Sequence, residues 1–393
     1  MHDIQRKAQA MQERIVQWRR ALHAMPEVGF DTPGTERFIV EELQKMGVTE
    51  IRHGDGKKGI VALVQGKKPG GVLGIRADYD ALHMTEETGL PFAATNGNMH
   101  ACGHDAHAAI LLGTAKLLLD CADELAGTVK LIFQPSEENG KGALAMIKDG
   151  VLEEPKMDAI IGLHIGSLWK GLNSGEVGYR YGALMAAADW FKITFGGKGG
   201  HGATPHLTVD PLAMACQAVG LLQQIVSRET SPLDSAVVTV GTIQGGTMPN
   251  IIAPSCTIAG TVRCLSPEVR NHLETRIREI CTDTARALRG SVAIEYTYGP
   301  PPLLNDRAVT DELKLAMEQI VGAEKVREVE QPTMGGEDMA FFQEHVPGSF
   351  FFLPASFEDE SRNFPHHHPK FDLNEDVFWI GAAVMARFAL SRG

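Results

Sequence analysis

The order of predicted elements in the middle of the chain restricts the fold more than any other feature of the sequence. Between residues 187 and 299, alternating and helical apolar patterns predict the order β-α-β-β-α-β, with Ser266-Pro267 before the second helix and Gly290 after it. That order is typical of the split βαβ, or ferredoxin-like, unit, and about 110 residues is an ordinary domain size. We therefore expect residues 187–299 to form a domain of their own.

The segments on either side of this module share a different pattern, in which helical and strand-like stretches alternate. Such alternation predicts an α/β layer architecture. Asp372 and Glu375 have capping-box spacing, which would start the closing helix there. We expect residues 1–186 and 300–393 to form one discontinuous α/β domain that carries the module as an insertion.

The composition excludes several classes of protein. The chain has 393 residues, of which 44% are hydrophobic, and a formal net charge of −12 at pH 7. This apolar content suffices for a large core, whereas a nucleic-acid-binding protein would need a basic face. The N-terminus lacks the apolar core of a secretory signal, and no apolar run reaches the roughly 18 residues of a membrane span. We expect a protein that binds neither nucleic acid nor membrane.

Six cysteines are scattered through the chain without Cys-x-x-Cys pairs. This usage favours a reducing cytoplasm over a disulfide framework. Five of them are expected to be small core hydrophobes. The exception is Cys102, because of its neighbours.

Cys102 lies in the string His100-Ala-Cys-Gly-His-Asp-Ala-His107, which places one thiol and three imidazoles within eight residues. Thiolate and neutral imidazole are preferred ligands of borderline-soft divalent metals. Residues 108–119 predict a helix, so a Cys-x-His step at its start would point Cys102 and His104 into one cavity. A loop with a buried structural cysteine is the alternative interpretation.

Three other predicted strands also end in groups that can bind a metal or transfer a proton. Residues 72–75 run into Arg76-Ala-Asp78-Tyr-Asp80, residues 129–133 run towards Glu137-Glu138, and residues 159–163 run into His164. In open α/β sheets, binding sites collect at the carboxyl ends of strands. We therefore expect all four clusters to face one crevice.

Together these positions supply enough candidate ligands for two metal ions. The candidates are Cys102, His104, Glu137 or Glu138, His164 and one of His366 to His368. Five ligands exceed the need of one tetrahedral ion and suit a dinuclear site with positions open to water and substrate. Adjacent residues at a strand end point to opposite sides, so one glutamate could bind metal while the other transfers protons. A solvated acidic turn is the alternative for the glutamate pair.

Two features of the inserted module are candidate functional elements. The Gly-rich segment 196–206 carries His201 and His206, and it lacks the Gly-Lys-Ser/Thr ending of a phosphate-binding loop. Arg263 ends a predicted strand and could pair with a substrate carboxylate through two hydrogen bonds. A flexible hairpin loop and an ordinary surface arginine are the alternatives.

Eight short motifs follow one another along nearly the whole chain. They are Arg76-Ala-Asp-Tyr-Asp-Ala-Leu, His100-Ala-Cys-Gly-His-Asp-Ala-His, Gln134-Pro-Ser-Glu-Glu, Gly162-Leu-His, Gly197-Lys-Gly-Gly-His, Met248-Pro-Asn-Ile-Ile, Gly335-Gly-Glu-Asp-Met and His367-His-Pro-Lys-Phe-Asp. Their order resembles that of the hippurate hydrolase, N-acyl-amino-acid amidohydrolase and auxin-conjugate hydrolase family, within the dinuclear metallo-aminoacylases and carboxypeptidases. The resemblance implies a metallopeptidase-like α/β catalytic domain and an inserted ferredoxin-like lid and dimerisation domain.

The resemblance also implies roles for individual residues. The implied metal ligands are Cys102, His104, Glu138, His164 and His367, the last because the family ligand lies two residues before the proline, here Pro369. They would hold two divalent ions, which could be zinc, manganese, cobalt or nickel. Glu137 would be the general base and acid, and His201 would reach into the active site of a partner protomer. Asn250 and Arg263 match positions expected near the substrate.

The implied activity is that of a metal-dependent amidohydrolase. It would cleave N-acyl or N-aroyl amino acids to a carboxylic acid and a free amino acid, in a homodimer or a dimer of dimers. Water activated at the metal site would attack the carbonyl, with Glu137 transferring the proton. A metallo-exopeptidase is the nearer alternative, and a non-catalytic metal- or peptide-binding protein the more distant one. Tyr79 and His83 depart from the family's usual residues, and we expect them at the rim of the site.

Overall fold

The computed structural model of the protein describes residues 2–54, 56–167, 169 and 171–392. Its α-helices are α1 (His2–His23), α2 (Pro33–Lys45), α3 (His104–Leu119), α4 (Gly142–Lys148), α5 (Pro211–Gln224), α6 (Pro267–Ala287), α7 (Arg307–Val321), α8 (Met339–Gln343) and α9 (Phe378–Ser391). Its strands are β1 (Ile51–Arg52), β2 (Ile60–Gln65), β3 (Lys68–Asp78), β4 (Ala126–Gln134), β5 (Ala159–Gly166), β6 (Val177–Tyr179), β7 (Gly182–Met185), β8 (Ala187–Gly196), β9 (Gly200–His201), β10 (Ala236–Gly245), β11 (Ile251–Ile252), β12 (Ser255–Cys264), β13 (Ser291–Thr297), β14 (Leu303–Asn305), β15 (Val326–Glu328) and β16 (Gly348–Pro354).

The chain divides into two compact units. The first comprises Met1–Leu184, Leu304–Thr333 and Asp338–Gly393. The second comprises Met185–Leu303 together with the short segment Met334–Glu337.

The first unit is built on an eight-stranded sheet with the order β1-β2-β4-β3-β5-β16-β6-β15. Its centre is parallel, since β3 pairs in parallel with β4 and β5, and β5 with β16. The strands β2 and β3 are consecutive in sequence, yet β4 lies between them. Because parallel strands end at the same edge, the segments after β3 and β4 and the last residues of β5 are close together.

Helix α3 is the most buried helix of the first unit. It packs against α1, α9 and β3, and nearly all of its residues are buried. Its sequence between Ala106 and Leu119 is rich in Ala and Leu on every side, which suits a helix covered all round. The first turn of α3 is therefore fixed by packing on a rigid sheet, which is a suitable base for a precise site.

The second unit contains a four-stranded antiparallel sheet with the order β10-β12-β8-β13. Helices α5 and α6 pack against each other and against this sheet. Along the chain the elements follow the order β8-α5-β10-β12-α6-β13, and β9 and β11 form a separate two-stranded ribbon. Asp210 and Ser266 cap the two helices with their side chains. The predicted fold class, an α/β fold with an inserted ferredoxin-like unit, is confirmed.

The start of the closing helix differs from the prediction. Helix α9 begins at Phe378 after a 3₁₀ turn that Asn374 caps, so the capping box of Asp372 and Glu375 is wrong. Both carboxylates instead contact the guanidinium of buried Arg19, at 3.3 and 3.2 Å. Arg19 Nε already pairs with buried Asp105 at 2.8 Å, and Asp372 and Glu375 bind the two remaining nitrogens of its guanidinium, so their carboxylates are held by Arg19 and not at a helix start.

No helix in the part of the chain that the structure describes combines the length and the apolar character needed to cross a membrane.

Candidate metal centre

The loop that enters α3 supplies two of the candidate ligands. Cys102 is 9% exposed, and His104 is fully buried as the first residue of α3. Gly103 between them has φ of 91°, a left-handed conformation that favours glycine, and a Cβ there would lie 3.0 Å from Ile165 Cγ2. With this turn, the donor atoms of Cys102, His104 and His164 lie within 4.8 Å of one another.

The two adjacent glutamates follow β4 and are held by one buried carboxylate. Ser136, just before them, has φ of 64°, which is uncommon for a residue other than glycine. The Asp80 carboxylate accepts the N–H of Glu137 at 3.0 Å and that of Glu138 at 3.2 Å, one on each oxygen. The Asp80 carbonyl accepts the Nδ1–H of His104 at 3.0 Å. Asp80 therefore positions both glutamates and His104 together.

His164 lies within β5, opposite Phe352 of β16, and not beyond the strand end as the sequence predicted. Its Nδ1–H donates to the carbonyl of Ile165 at 2.9 Å, so its Nε2 carries the lone pair, 3.5 Å from Cys102 Sγ. Burial and the neighbouring histidines lower the pKa of His164 well below its ordinary value. The ring is therefore held neutral in one tautomer, which is the form that binds a metal.

His367 is the one of the three consecutive histidines that lies beside a candidate ligand carboxylate. Its Nε2 is 3.3 Å from Glu138 Oε2, and the donor atoms of Cys102, Glu138 and His367 lie within 4.8 Å of one another. Its φ of 63° is uncommon for a side chain of this size. The N–H of His367 donates to the carbonyl of Ala101 at 2.8 Å, which ties this turn to the Cys102 loop.

The other two histidines of this turn have different partners. The N–H of Ser167 donates to His366 Nε2 at 3.3 Å, so the neutral ring carries its proton on Nδ1, which faces Cys102 Sγ at 3.6 Å. His366 is therefore placed as a hydrogen-bond donor to the sulfur, a role that sequence reasoning missed. His368 stacks on Phe364 and accepts a backbone N–H within its own turn.

The spacing of the donor atoms around His104 is close to that of metal coordination, though slightly wider. His104 Nε2 lies 3.9 Å from Glu138 Oε1 and 4.0 Å from Glu137 Oε2. Donors about 2.0–2.3 Å from one tetrahedral ion lie roughly 3.3–3.8 Å apart. Both His104 Nε2 and Glu138 Oε1 are buried atoms without a hydrogen-bond partner among the described residues, an arrangement that a bound cation would explain. The structure brings together the following predicted residues: Cys102, His104, Glu137, Glu138, His164 and His367.

Burial and neighbouring charges set the protonation of these groups. Burial raises the pKa of the Cys102 thiol well above its ordinary value, and Glu138 adds to the effect. Burial alone would also raise the pKa of Glu138, but His367 and His104 outweigh it and the pKa is lowered. A dication stabilises a thiolate strongly, so loss of the Cys102 proton is expected to accompany metal binding.

A buried ionic network adjoins this group, and the sequence indicated only part of it. Arg76 contacts Asp78 at 2.8 Å and Asp338 at 2.7 Å, with all three side chains fully buried. Gln134 bonds to both Arg76 and Asp338, and the N–H of Asp338 lies 3.4 Å from Glu137 Oε1. The strand-end cluster indicated Asp78, whereas no spacing in the sequence relates Arg76 to a partner 262 residues away.

Two predicted site residues lie on one ribbon of the second unit. His201 of β9 is opposite Ile251 of β11, and the carbonyl of Asn250 accepts the N–H of Gly202 at 2.8 Å. The N–H of Ala203 donates to His201 Nδ1 at 3.0 Å, so a neutral ring carries its proton on Nε2. His201 and Asn250 are both exposed, and His201 Nε2 can donate a hydrogen bond to an anion.

Arg263 lies on β12, next to its last residue, with Val237 and Ala188 as its strand neighbours. It is half-buried, and burial lowers the pKa of its guanidinium. The carboxylate of Asp189 is bound by Arg270 at 2.9 Å and not by Arg263. Arg263 is therefore able to pair with an anion from outside the chain.

The structure corrects one expectation about the rim of the site. Tyr79 is fully buried with its hydroxyl 2.9 Å from Glu36 Oε1, so its placement at the rim is wrong. Successive side chains of an extended backbone point in opposite directions, so Asp78 and Asp80 face the site and Tyr79 faces the core. His83 is exposed.

Comparison with known proteins gives consistent matches over almost the whole chain. Residues 74–391 match the sequence profile described as Peptidase family M20/M25/M40. The chain is 40% identical over 367 residues to the N-acetyl-L-cysteine deacetylase of Bacillus subtilis, covering 93% of this chain and 85% of that protein. It is 39% identical over 377 residues to IAA-amino acid hydrolase ILR1-like 4 of Arabidopsis thaliana, covering 94% and 84%.

A solved structure agrees with these matches. The Bacillus subtilis YXEP protein, described as a dinuclear metal binding peptidase from the M20 family, superposes with a TM-score of 0.83 at 33% identity. The similarity covers 97% of this chain and 98% of that chain.

Proposed function

The chain belongs to peptidase family M20/M25/M40, which confirms the resemblance seen in its motifs, and from that premise we propose that it hydrolyses N-acyl or N-aroyl amino acids. The products would be a carboxylic acid and a free amino acid. Relatives named as a deacetylase of N-acetyl-L-cysteine and as a hydrolase of IAA-amino acids support this substrate class, because both names describe an acyl group joined to an amino acid.

The donor set and the dinuclear relative support two divalent metal ions at this centre. We propose that they are held by Cys102, His104, Glu138, His164 and His367. Zinc, manganese, cobalt and nickel all accept imidazole and carboxylate ligands, and thiolate favours the softer ions among them. When bound, such ions lower the pKa of water and polarise an amide carbonyl.

The adjacent glutamates have different surroundings, which supports separate roles. Glu138 directs one oxygen towards His367 and the other towards His104, so both oxygens lie among the donor atoms. Glu137 has one oxygen near the N–H of Asp338, while its other oxygen lies 4.0 Å from His104 Nε2. We therefore assign Glu138 as a ligand, and Glu137 as the base that takes a proton from the attacking water and delivers it to the leaving nitrogen.

Three residues of the second unit are proposed to act on the substrate. His201 would donate its Nε2–H to the oxyanion that develops on the amide carbonyl. Arg263 would bind the carboxylate of the amino-acid portion, and Asn250 would contact the substrate beside His201. As in the sequence-based interpretation, His201 would serve the active site of a partner protomer, in a homodimer or a dimer of dimers.

A reducing compartment suits this centre. Cys102 binds a metal only as a thiolate, and its oxidation would remove a ligand. We therefore propose the cytoplasm as the location of the protein.

A metallo-exopeptidase acting on dipeptides is the second candidate, since the YXEP protein is described as a peptidase. The two activities differ in whether the preferred substrate carries a free α-amino group. A dipeptide and its N-acetylated form therefore separate them.

The observation that carries the proposal is the set of five donors beside Glu137. Its test is a hydrolysis screen of N-acetyl, N-benzoyl and indole-acetyl amino acids against simple dipeptides, using chelated protein with each metal added back. We expect metal-dependent hydrolysis of the acylated compounds and little of the dipeptides. The opposite preference would favour the exopeptidase, and no metal-dependent turnover on any amide would contradict both.

A further inference from the structure

His107 is the last histidine of the string at the start of α3, and the mechanism above gives it no role. It is 1% exposed, and its ring stacks on that of His104 with centroids 5.3 Å apart. Its Nδ1 lies 2.5 Å from Asp78 Oδ1, and the backbone N–H of Ile165 donates to its Nε2 at 2.9 Å. Strand β3 pairs with β5 only as far as Gly162. The backbone N–H of Ile165 is therefore not paired with β3, and His107 accepts it instead.

These two hydrogen bonds define the tautomer of His107. A backbone N–H can only donate, so Nε2 must be the acceptor and the proton of the neutral ring lies on Nδ1, facing Asp78. A ring nitrogen whose lone pair accepts a backbone N–H cannot use the same lone pair to bind a metal ion. The donor atoms of Asp78, His104 and His107 lie within 4.8 Å of one another, yet His107 is already occupied by the protein.

The residue that His107 holds also orients a proposed ligand. The Ile165 N–H donates to His107, while the Ile165 carbonyl accepts the Nδ1–H of His164 at 2.9 Å. The rings of His107 and His164 are 4.7 Å apart and nearly perpendicular, at 80°. Fixing the backbone at Ile165 therefore fixes the direction of His164 Nε2 towards Cys102.

We infer that His107 is a positioning residue for the metal centre, which holds the Ile165 backbone so that His164 presents Nε2 to the metal. The inference rests on the proposed role of His164 as a ligand. Arg76 bonds to the other oxygen of Asp78 at 2.8 Å and so holds the carboxylate that orients His107. Groups behind the ligands commonly change metal affinity by about 10–100-fold, so the contribution is measurable.

Two substitutions separate the two ring nitrogens. His107→Gln can place its side-chain oxygen near the position of Nε2 and still accept the Ile165 N–H. His107→Asn can still donate to Asp78 from near the position of Nδ1, but it cannot reach Ile165. The inference assigns the positioning effect to the Ile165 contact, so Gln should preserve it and Asn should not. His164→Ala serves as the reference for losing the ligand itself.

The probe is Co²⁺ added to chelated full-length protein, measured by its visible and thiolate charge-transfer absorption against a competing chelator. We expect affinity within about 3-fold of wild type for His107→Gln. For His107→Asn we expect affinity weaker by about 10–100-fold, with full stoichiometry at saturation and an altered spectrum. Wild-type affinity and spectra for both His107 variants would overturn this inference but leave the proposed metal centre standing. Loss of one Co²⁺ by both variants would also overturn it, because His107 would then be a ligand. Wild-type binding by His164→Ala would contradict the proposed centre itself.

A measurement on the unsubstituted protein covers the case in which His107→Asn does not fold. In zinc-loaded protein with ¹⁵N-labelled histidine, the His107 signals, assigned by their absence from His107→Gln, should show a protonated Nδ1 and an Nε2 that is neither protonated nor metal-bound. A protonated or a metal-bound Nε2 would overturn the inference.

Discussion

At the scale of single residues, the proposed ligand Cys102 is the side chain whose chemistry would change most on metal binding. It is 9% exposed, and burial raises the pKa of its thiol, so the metal-free protein favours the protonated form. Its sulfur lies 3.5 Å from His164 Nε2 and 3.6 Å from His366 Nδ1. A coordinated thiolate is protected from electrophiles, whereas the metal-free thiol reacts through its thiolate fraction, which is small at neutral pH and grows as the pH is raised.

We therefore predict that chelation makes Cys102 newly open to alkylation, and that alkylation prevents reactivation by metal. Metal added before the alkylating agent should protect both the thiol and the activity. Cys216 is exposed, so the expectation of a core position is wrong for this cysteine. It would react in either state, so the Cys216→Ser protein is the suitable background. Peptide mapping identifies the modified residue, and chelation-dependent labelling at another cysteine would count against Cys102 as a ligand.

The sequence predicted which of these side chains lie close together better than it predicted their orientation. The spacing of Cys102 and His104 before an apolar helix indicated a shared cavity, because a loop that enters a helix has few ways to turn. The tautomers could not be predicted, since each depends on an acceptor fixed by the fold, such as the carbonyl of Asp80 for His104. For the same reason the string did not distinguish His107, whose nitrogens are both occupied, from the proposed ligands.

At the scale of elements, apolar patterns in the sequence located helices and strands. Contacts between buried charged residues set other details, such as the start of α9, that these patterns did not show. The helix after the string and the βαββαβ order follow from apolar periodicity, which is local. The position of β4 between β2 and β3 is a long-range pairing. The predicted start of α9 was wrong because Asp372 and Glu375 contact Arg19, which lies on α1 far away in sequence.

His23 at the end of α1 predicts a pH dependence of stability. It is fully buried and faces Asp105 at 2.7 Å and Glu86 at 3.1 Å, with Arg19 and His100 nearby. Burial alone would lower the pKa of His23, but the carboxylates outweigh it and the pKa is raised above 6.5. A raised pKa stabilises the fold below the unfolded value, and that contribution is lost as the pH rises through the folded value.

The melting temperature should therefore fall between about pH 6.5 and alkaline pH more steeply for wild type than for His23→Gln, which cannot titrate. Thermal unfolding across this range, in chelator to remove metal effects, measures the difference. Parallel profiles for the two proteins would show that His23 binds its proton equally well when unfolded.

The contacts of Lys130 on β4 predict that substituting this residue lowers the stability of the protein. Its side chain is 1% exposed, and its ammonium donates to the carbonyls of Val151, Glu153 and Pro155 at 2.7, 2.9 and 2.7 Å. Lys130→Met should destabilise the protein by about 2–4 kcal/mol, because buried acceptors lose their donors. Denaturant unfolding compared with Lys116→Met, a surface lysine, checks it, and equal small losses would contradict the account.

At the scale of the whole molecule, the proposed site residues are divided between two compact units. The first holds the donor set and Glu137, and the second holds His201, Asn250 and Arg263. The proposal that His201 serves a partner protomer makes the dimer part of the catalytic unit. Activity should then depend on which protomers are paired, and not only on the residues that each chain carries.

Mixing inactive Glu137→Ala and His201→Ala proteins under subunit exchange should accordingly restore activity. In a mixed dimer, the protomer with intact Glu137 receives an intact His201 from its partner, while the other site lacks both. Unbiased pairing gives recovery of about a quarter of wild type for a twofold dimer. If exchange is shown by a mass-tagged subunit and no activity returns, His201 serves its own site or none.

Five side chains are proposed to hold two metal ions beside a separate acid–base glutamate. The most direct test measures metal content and turnover together in Glu137→Gln and Glu138→Gln, which differ only in which neighbour is changed. We predict that Glu137→Gln keeps the wild-type metal content and loses about 10²–10⁴-fold in turnover, whereas Glu138→Gln loses metal as well. A metal-poor Glu137→Gln beside a metal-replete Glu138→Gln would contradict the account.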